Sequence, residues 1–152
     1  MVDFSFEVDV KIKLIAGGKL PEFKTDGAVC ADCYARVDES CWKKIVPPFS
    51  RMKIPLGFAL ELPKGWEAVI RPRSSLTYLG IDNGIGTIDY DYRGEVSAVV
   101  VNNTDEDFFI ENGDRICQLA IRKAPKVSFE VVDELSQTER GAGGFGSTGK
   151  RG

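Results

Sequence analysis

The sequence predicts an all-β domain, a sandwich or closed barrel, and three observations predict it. Apolar and polar residues alternate with a period of two in several short runs. Clusters of Pro, Gly, Asn and Asp separate those runs, and scarcely any stretch carries the period of about 3.6 residues expected of a helix. With 152 residues, 43% hydrophobic and 28% charged, the chain has the length and composition of one globular domain able to bury its own core.

The elements can be taken in order. Residues 4–14 alternate without error, Phe4, Phe6, Val8, Val10, Ile12 and Leu14 against Ser5, Glu7, Asp9, Lys11 and Lys13, which is the pattern of a half-buried strand. Shorter runs at residues 58–62, 67–71, 96–101, 108–110, 116–121 and 127–131 read the same way. Turns are marked by Pro47-Pro48, Pro63-Lys64-Gly65, Asn102-Asn103-Thr104 and Asn112-Gly113-Asp114. Residues 74–80 could form a short helix. Within residues 81–96, Asn83-Gly84 signals a tight turn, so the segment reads as a β-hairpin.

Composition also excludes functions. A net charge of −3 argues against a protein that coats nucleic acid, and no apolar run approaches the roughly 18 residues of a membrane span. The charged, alternating N-terminal residues do not read as a signal peptide, so a cytoplasmic location is expected. There is no histidine, which removes Ser-His-Asp and Cys-His systems and leaves acid-base chemistry to Asp, Glu, Lys, Tyr or Cys. Any metal is expected to be a hard ion held by oxygens, Mg²⁺ first. Cys30-x-x-Cys33 lacks a second half-site, so Cys30, Cys33, Cys41 and Cys117 read as reduced structural thiols.

Four stretches could carry chemistry. Arg71 to Gly80 gathers Arg73, Ser74 and Ser75 where a strand gives way to a helical turn, a corner suited to phosphate oxygens. In the hairpin, Gly86 leaves the backbone open to a ligand, and a period of two would put Asp89 and Asp91 on one face with Tyr90 and Tyr92 on the other. Those carboxylates could activate water or could simply be solvated turn acids. Gly113 to Ile121 offers Arg115 and Gln118. The tail, RGAGGFGSTGKRG, nearly spells both a Walker A loop and G-x-G-x-x-G, but each motif needs a strand before and a helix after its glycines. It is therefore either a solvated end or a segment ordered by an anionic ligand that bears a flat ring.

Taken together and in this order, Ala31-Asp32 with Ala35, PRSSL, NGIGTIDYDYRGEV, GDRICQLAI and RGAGGFGSTG resemble the motifs of the trimeric dUTPase family. The resemblance implies a distorted jelly-roll β-barrel over residues 1–139 and a flexible glycine-rich lid over residues 140–152. It further implies a homotrimer with active sites shared between subunits, hydrolysing dUTP to dUMP and pyrophosphate. Asp89 would be the general base that activates the water attacking the α-phosphate. Asn83, Gly86, Thr87 and Ile88 would read uracil along the segment ending at Asp89, and Tyr92 would pack on the deoxyribose. Arg73, Ser74, Ser75 and Gln118 would hold phosphate oxygens, and Arg140, Phe145, Gly146, Ser147 and Thr148 would close over the nucleotide. Mg²⁺ would ride on the triphosphate, with Asp32 near it through water.

Two positions depart from the family pattern. Val29-Cys30-Ala31-Asp32-Cys33 stands where Ala-Gly-x-Asp-Leu is usual, and Ser75 stands where Gly is usual. A dCTP deaminase or a bifunctional deaminase and diphosphatase shares the fold and remains an alternative, as does a non-catalytic nucleotide-binding regulator.

Overall fold

The computed structural model describes residues 7–146 and residue 149. Eleven strands run through these residues: β1 (Lys11–Leu14), β2 (Ala31–Tyr34), β3 (Lys43–Val46), β4 (Arg51–Pro55), β5 (Phe58–Glu61), β6 (Trp66–Pro72), β7 (Ile81–Asn83), β8 (Gly86–Ile88), β9 (Ser97–Asn102), β10 (Phe108–Glu111) and β11 (Arg115–Lys123). One short helix, α1 (Ser74–Tyr78), and one 3-10 turn, Glu39–Cys41, are the helical elements among them. The all-β reading holds.

All strand pairs are antiparallel. They form four small sheets in the orders β2-β11-β6-β8, β4-β9-β7, β1-β5 and β3-β10. The sheets curl around one core into a distorted jelly-roll barrel, with Phe58, Ile54, Leu56, Ile70, Ile110 and Val100 completely or almost completely removed from solvent. Strand β9 shows how the period of two builds it: Ala98, Val100 and Asn102 point inward, while Ser97, Val99 and Val101 are partly or fully exposed. Strand β6 lies between β11 and β8 and buries Ala68, Val69 and Ile70 in succession.

Five of the expected strands and the short helix fall where the alternation and turn signals placed them. Three expectations are corrected. The alternation over residues 4–14 yields a strand only at Lys11–Leu14, because its partner β5 runs just from Phe58 to Glu61 before the turn at Pro63. Residues 7–10 form no ladder, and Phe4 and Phe6 lie outside the described residues. Residues 127–131 form no strand either: Val127, Phe129 and Val131 are 63%, 92% and 97% exposed. Finally, residues 81–96 are not a paired hairpin. After the Gly84-Ile85 link, β7 pairs with β9 and β8 with β6, so the segment steps from one sheet to the other. Asp89 to Tyr92 form a turn rather than a strand, closed by Tyr92 N–H donating to the Asp89 carbonyl at 3.1 Å, so Asp89 and Asp91 do not share a strand face.

Candidate functional site

The predicted site residues gather in two places. The first is a pocket of about 230 Å³ where the end of β6, the start of α1, β2 and β11 converge. Arg73 is the N-cap of α1 with extended backbone (φ −85°, ψ 130°), and its carbonyl accepts from Leu76 and Thr77 N–H. This leaves Ser74 and Ser75 in the first helical turn, where backbone N–H groups lack intrahelical partners. Arg73 Nη1 donates to the Arg115 carbonyl at 2.8 Å, tying the corner to β11.

Asp32 is the acidic member of this pocket and is only 6% exposed. Register places it opposite Gln118, whose Nε2 donates to Asp32 Oδ1 at 3.2 Å. Arg115 Nη1 donates to Oδ2 at 3.1 Å. A register irregularity between Arg115 and Cys117 interrupts the β2-β11 pairing, as a bulge does when it re-aims a side chain. Lys24 and Cys30 complete the lining, so three cations, Lys24, Arg73 and Arg115, face one carboxylate. The balance suits a polyanion.

The same two strands carry a thiol pair. Cys33 and Cys117 are cross-strand partners with no exposure, and both are unbridged. Hydrogen bonding to Cys117, reinforced by burial, pushes the Cys33 thiol far up, so it stays protonated and inert. Cys30 is half-buried and Cys41 exposed, also as free thiols.

The second pocket, about 280 Å³, is lined by Gly86, Thr87, Ile88, Asp89 and Tyr92, with Ile70 behind them. Asp89 is exposed at the end of β8, and the turn that follows is held by Tyr92 together with Arg93 and Glu95, which the sequence reading did not single out. Arg93 Nη1 donates to the Tyr90 carbonyl at 2.7 Å and the Tyr92 carbonyl at 3.2 Å. Tyr92 Oη donates to the Glu95 carbonyl at 3.3 Å. A Cβ placed on Gly94 would collide with the Tyr92 hydroxyl and lie 2.6 Å from Cζ, so the glycine makes room for the ring.

Glu95 anchors this turn to the barrel. Arg36 donates to both its oxygens, at 2.8 Å from Nε and 2.7 Å from Nη2, and Gly57 N–H donates at 2.9 Å. The Arg36 contacts, against the opposing effect of burial and with help from the Gly57 N–H, hold the Glu95 carboxyl below the ordinary range for glutamate. The signal was present in the sequence as Arg93-Gly94-Glu95, but its partner Arg36 stands 59 residues from Glu95.

Of the remaining predicted residues, the described ones line neither pocket. Asn83 is buried at the end of β7, where its Nδ2 donates to the Gly84 carbonyl at 3.1 Å. Arg140 turns back on the tail, with Nε donating to the Gly143 carbonyl at 2.8 Å. Phe145 is fully exposed and, like Gly146, has positive φ. Ser147 and Thr148 lie outside the described residues.

Comparison with known proteins identifies the family. The dUTPase family model matches residues 18–149, which span every motif described above. The chain belongs to the dUTPase family. A deoxyuridine 5'-triphosphate nucleotidohydrolase of Treponema denticola is 48% identical over 145 residues, covering 93% of this chain and 99% of that protein. One from Anaplasma marginale is 44% identical over 146 residues, covering 92% and 97%. Among solved structures, a mutant dUTPase of Staphylococcus bacteriophage 80alpha with dUpNHpp superposes with a TM-score of 0.84 at 22% identity, covering 93% of this chain and 98% of that one. A mutant dUTPase from phage phi11 of S. aureus, described with a structural Mg(II) ion, has a TM-score of 0.74 at 18% identity, covering 83% and 97%. The fold is therefore that of dUTPases. Among the described residues no helix is long and apolar enough to cross a membrane.

Proposed function

We propose that this dUTPase-family protein is a dUTP diphosphatase, cleaving dUTP to dUMP and pyrophosphate. The observation that carries the reading is a carboxylate, Asp89, in a pocket it lines with Gly86, Thr87 and Ile88, inside a dUTPase match of residues 18–149. Uracil and deoxyribose occupy the Gly86–Ile88 pocket, with main-chain groups meeting the base edge and the Tyr92 ring on the sugar. Asp89 takes a proton from a water whose oxygen attacks the α-phosphorus. The bond from that phosphorus to the bridging oxygen breaks, and pyrophosphate leaves. Arg73, Ser74, Ser75 and Gln118 hold phosphate oxygens and orient the α-phosphate for that attack. A cytoplasmic location goes with this reading.

The donor set fits Mg²⁺ of a particular kind. Asp32 is the sole carboxylate lining the phosphate pocket, and no cluster of three or more acidic, Cys or His side chains is found among the described residues. That set suits an ion carried on substrate phosphates, with Asp32 acting on it through water when it is bound. When bound, Mg²⁺ supplies charge neutralisation to the phosphates.

The reading extends to a homotrimer with shared sites, made of a barrel over residues 1–139 and a lid over residues 140–152. Two observations support it. Within one chain the nucleoside residues and the phosphate residues line different pockets, as they would where a site takes its parts from more than one subunit. Val127, Phe129 and Val131 keep strand alternation while standing in solvent, as a segment does when its partner lies on another subunit. The lid brings Arg140 to the terminal phosphate, Phe145 to the uracil face, and Gly146, Ser147 and Thr148 to the phosphates, excluding bulk water. The test is Asp89→Asn, assayed by pyrophosphate release. Turnover is expected to fall by about 10²–10⁴-fold, the usual contribution of a positioned base, with binding of dUpNHpp retained. Undiminished turnover would remove Asp89 from the mechanism.

A further inference from the structure

Lys24 lines the phosphate pocket but belongs to none of the motif stretches. Its backbone is held at the rim on both sides. Two residues earlier, Glu22 and Asp32 exchange hydrogen bonds, Glu22 N–H donating at 3.1 Å and Asp32 N–H at 2.8 Å. Immediately after it, Ala28 N–H donates to the Thr25 carbonyl at 3.1 Å and closes a turn. The side chain is tethered only at the surface. Lys24 Nζ meets Glu22 Oε2 at 2.7 Å, the same oxygen that accepts from Tyr34 Oη at 2.8 Å, and it lies 5.7 Å from the Tyr34 ring centre.

The other cations of the pocket are already committed in part. Arg115 neutralises the nearly buried Asp32, and one Arg73 nitrogen is spent on the Arg115 carbonyl. The Lys24–Glu22 pair is different, because both side chains are well exposed at 42% and 58%, and exposed ion pairs are weak. A polyphosphate entering the pocket brings several negative charges within reach of this ammonium and can displace one solvated carboxylate. Exchange favours the phosphate.

We propose that Lys24 is a phosphate-binding side chain that parks on Glu22 in the empty pocket and transfers to the terminal phosphates of the bound nucleotide. The inference rests on the assignment of this pocket to the triphosphate. It makes the rim select for chain length: a nucleoside triphosphate or pyrophosphate reaches Lys24, and a monophosphate does not.

The experiment is calorimetric titration of the full-length protein, its Lys24→Gln and Lys24→Arg variants, and Glu22→Gln alone and combined with Lys24→Gln, using dUpNHpp and dUMP. Lys24→Gln is expected to weaken dUpNHpp by about tenfold, leave dUMP within about twofold, and lower the salt dependence of dUpNHpp binding; Lys24→Arg restores affinity. Glu22→Gln should tighten dUpNHpp in the presence of Lys24 and have no effect in its absence. Equal losses for both ligands would make Lys24 a structural residue and overturn the proposal, as would unchanged affinity, or a Glu22→Gln effect independent of Lys24. Failure of both the unaltered protein and Asp89→Asn to bind dUpNHpp would overturn the pocket assignment itself.

Discussion

Glu95 joins the turn after Asp89 to the rest of the barrel through Arg36 and the Gly57 N–H, and this makes its ionisation matter to stability. Its folded-state carboxyl sits below the ordinary glutamate range, mainly because of Arg36. A depressed acid binds fewer protons folded than unfolded, so its stabilisation is present above the unfolded value, about 4.3, and is lost as pH falls through the folded one. Glu95→Gln should therefore cost about 1–2 kcal/mol at neutral pH, where a partly screened pair and a bidentate contact are removed. The deficit should shrink as the medium becomes acidic enough to protonate Glu95 in the unaltered protein. Denaturant midpoints measured for both proteins from neutral pH downward would show the curves converging; a constant gap would mean that the carboxylate's charge is not the source. At this scale the sequence was uneven. The acid at Asp89, the serines and Gln118 were recognisable as local chemistry within a motif, whereas Arg36 and the Arg115–Asp32 contact depend on pairings across 59 and 83 residues, and Lys24 on the shape of a rim, none of which local pattern encodes.

At the scale of elements, the end of β9 is the most tightly specified join. Asn102 is fully buried, and its Nδ2 donates to the carbonyls of Val46, Pro47 and Glu106 at 2.9, 3.1 and 2.7 Å. Its Oδ1 accepts from Thr104 N–H at 2.9 Å and Thr104 Oγ1 at 2.7 Å. One side chain thus links β3, the Pro47-Pro48 turn, β9 and the loop before β10. Asn102→Ala should cost about 2–4 kcal/mol, because several buried backbone groups lose their partner together. Urea unfolding would measure this, and a loss under about 0.5 kcal/mol, the size of an ordinary surface effect, would show that water replaces the amide. Read from sequence, Asn102-Asn103-Thr104 marks a turn, which is right for where the chain bends but silent on the network. Alternation located β5, β6, β9, β10 and β11 because each has recognisable apolar spacing. It missed β3, β4 and β2; in β2 the four residues Ala31–Tyr34 are buried or nearly so, Asp32 included, so polarity does not report the exposed face. It also misread residues 81–96, since the tight-turn signal at Asn83-Gly84 reports a bend and not which sheet receives each arm.

For the whole molecule, the question is how two pockets and a tail make one site. In a single chain Asp89 and Tyr92 line one pocket, Arg73 and Gln118 another, and Phe145 points into solvent. Closed threefold symmetry can bring unlike surfaces of successive subunits together, so each site would draw its parts from neighbours. This has a quantitative consequence for mixed assemblies. Take one subunit carrying Asp89→Asn with an intact tail, and another with Asp89 intact but truncated before residue 140. Each alone should be inactive, and the truncated protein should still elute as a trimer if the barrel carries the assembly contacts. If a site takes Asp89 from one subunit and its tail from another, random mixing restores about a quarter of the sites, those pairing an intact acid with an intact tail. If acid and tail come from the same subunit, no mixture contains an active site. Co-expression of the two variants in equal amounts, followed by assay of pyrophosphate release per site, separates the cases. Activity near a quarter of the unaltered level supports sharing between subunits, while activity at the background of either variant alone confines the acid and the lid to one chain.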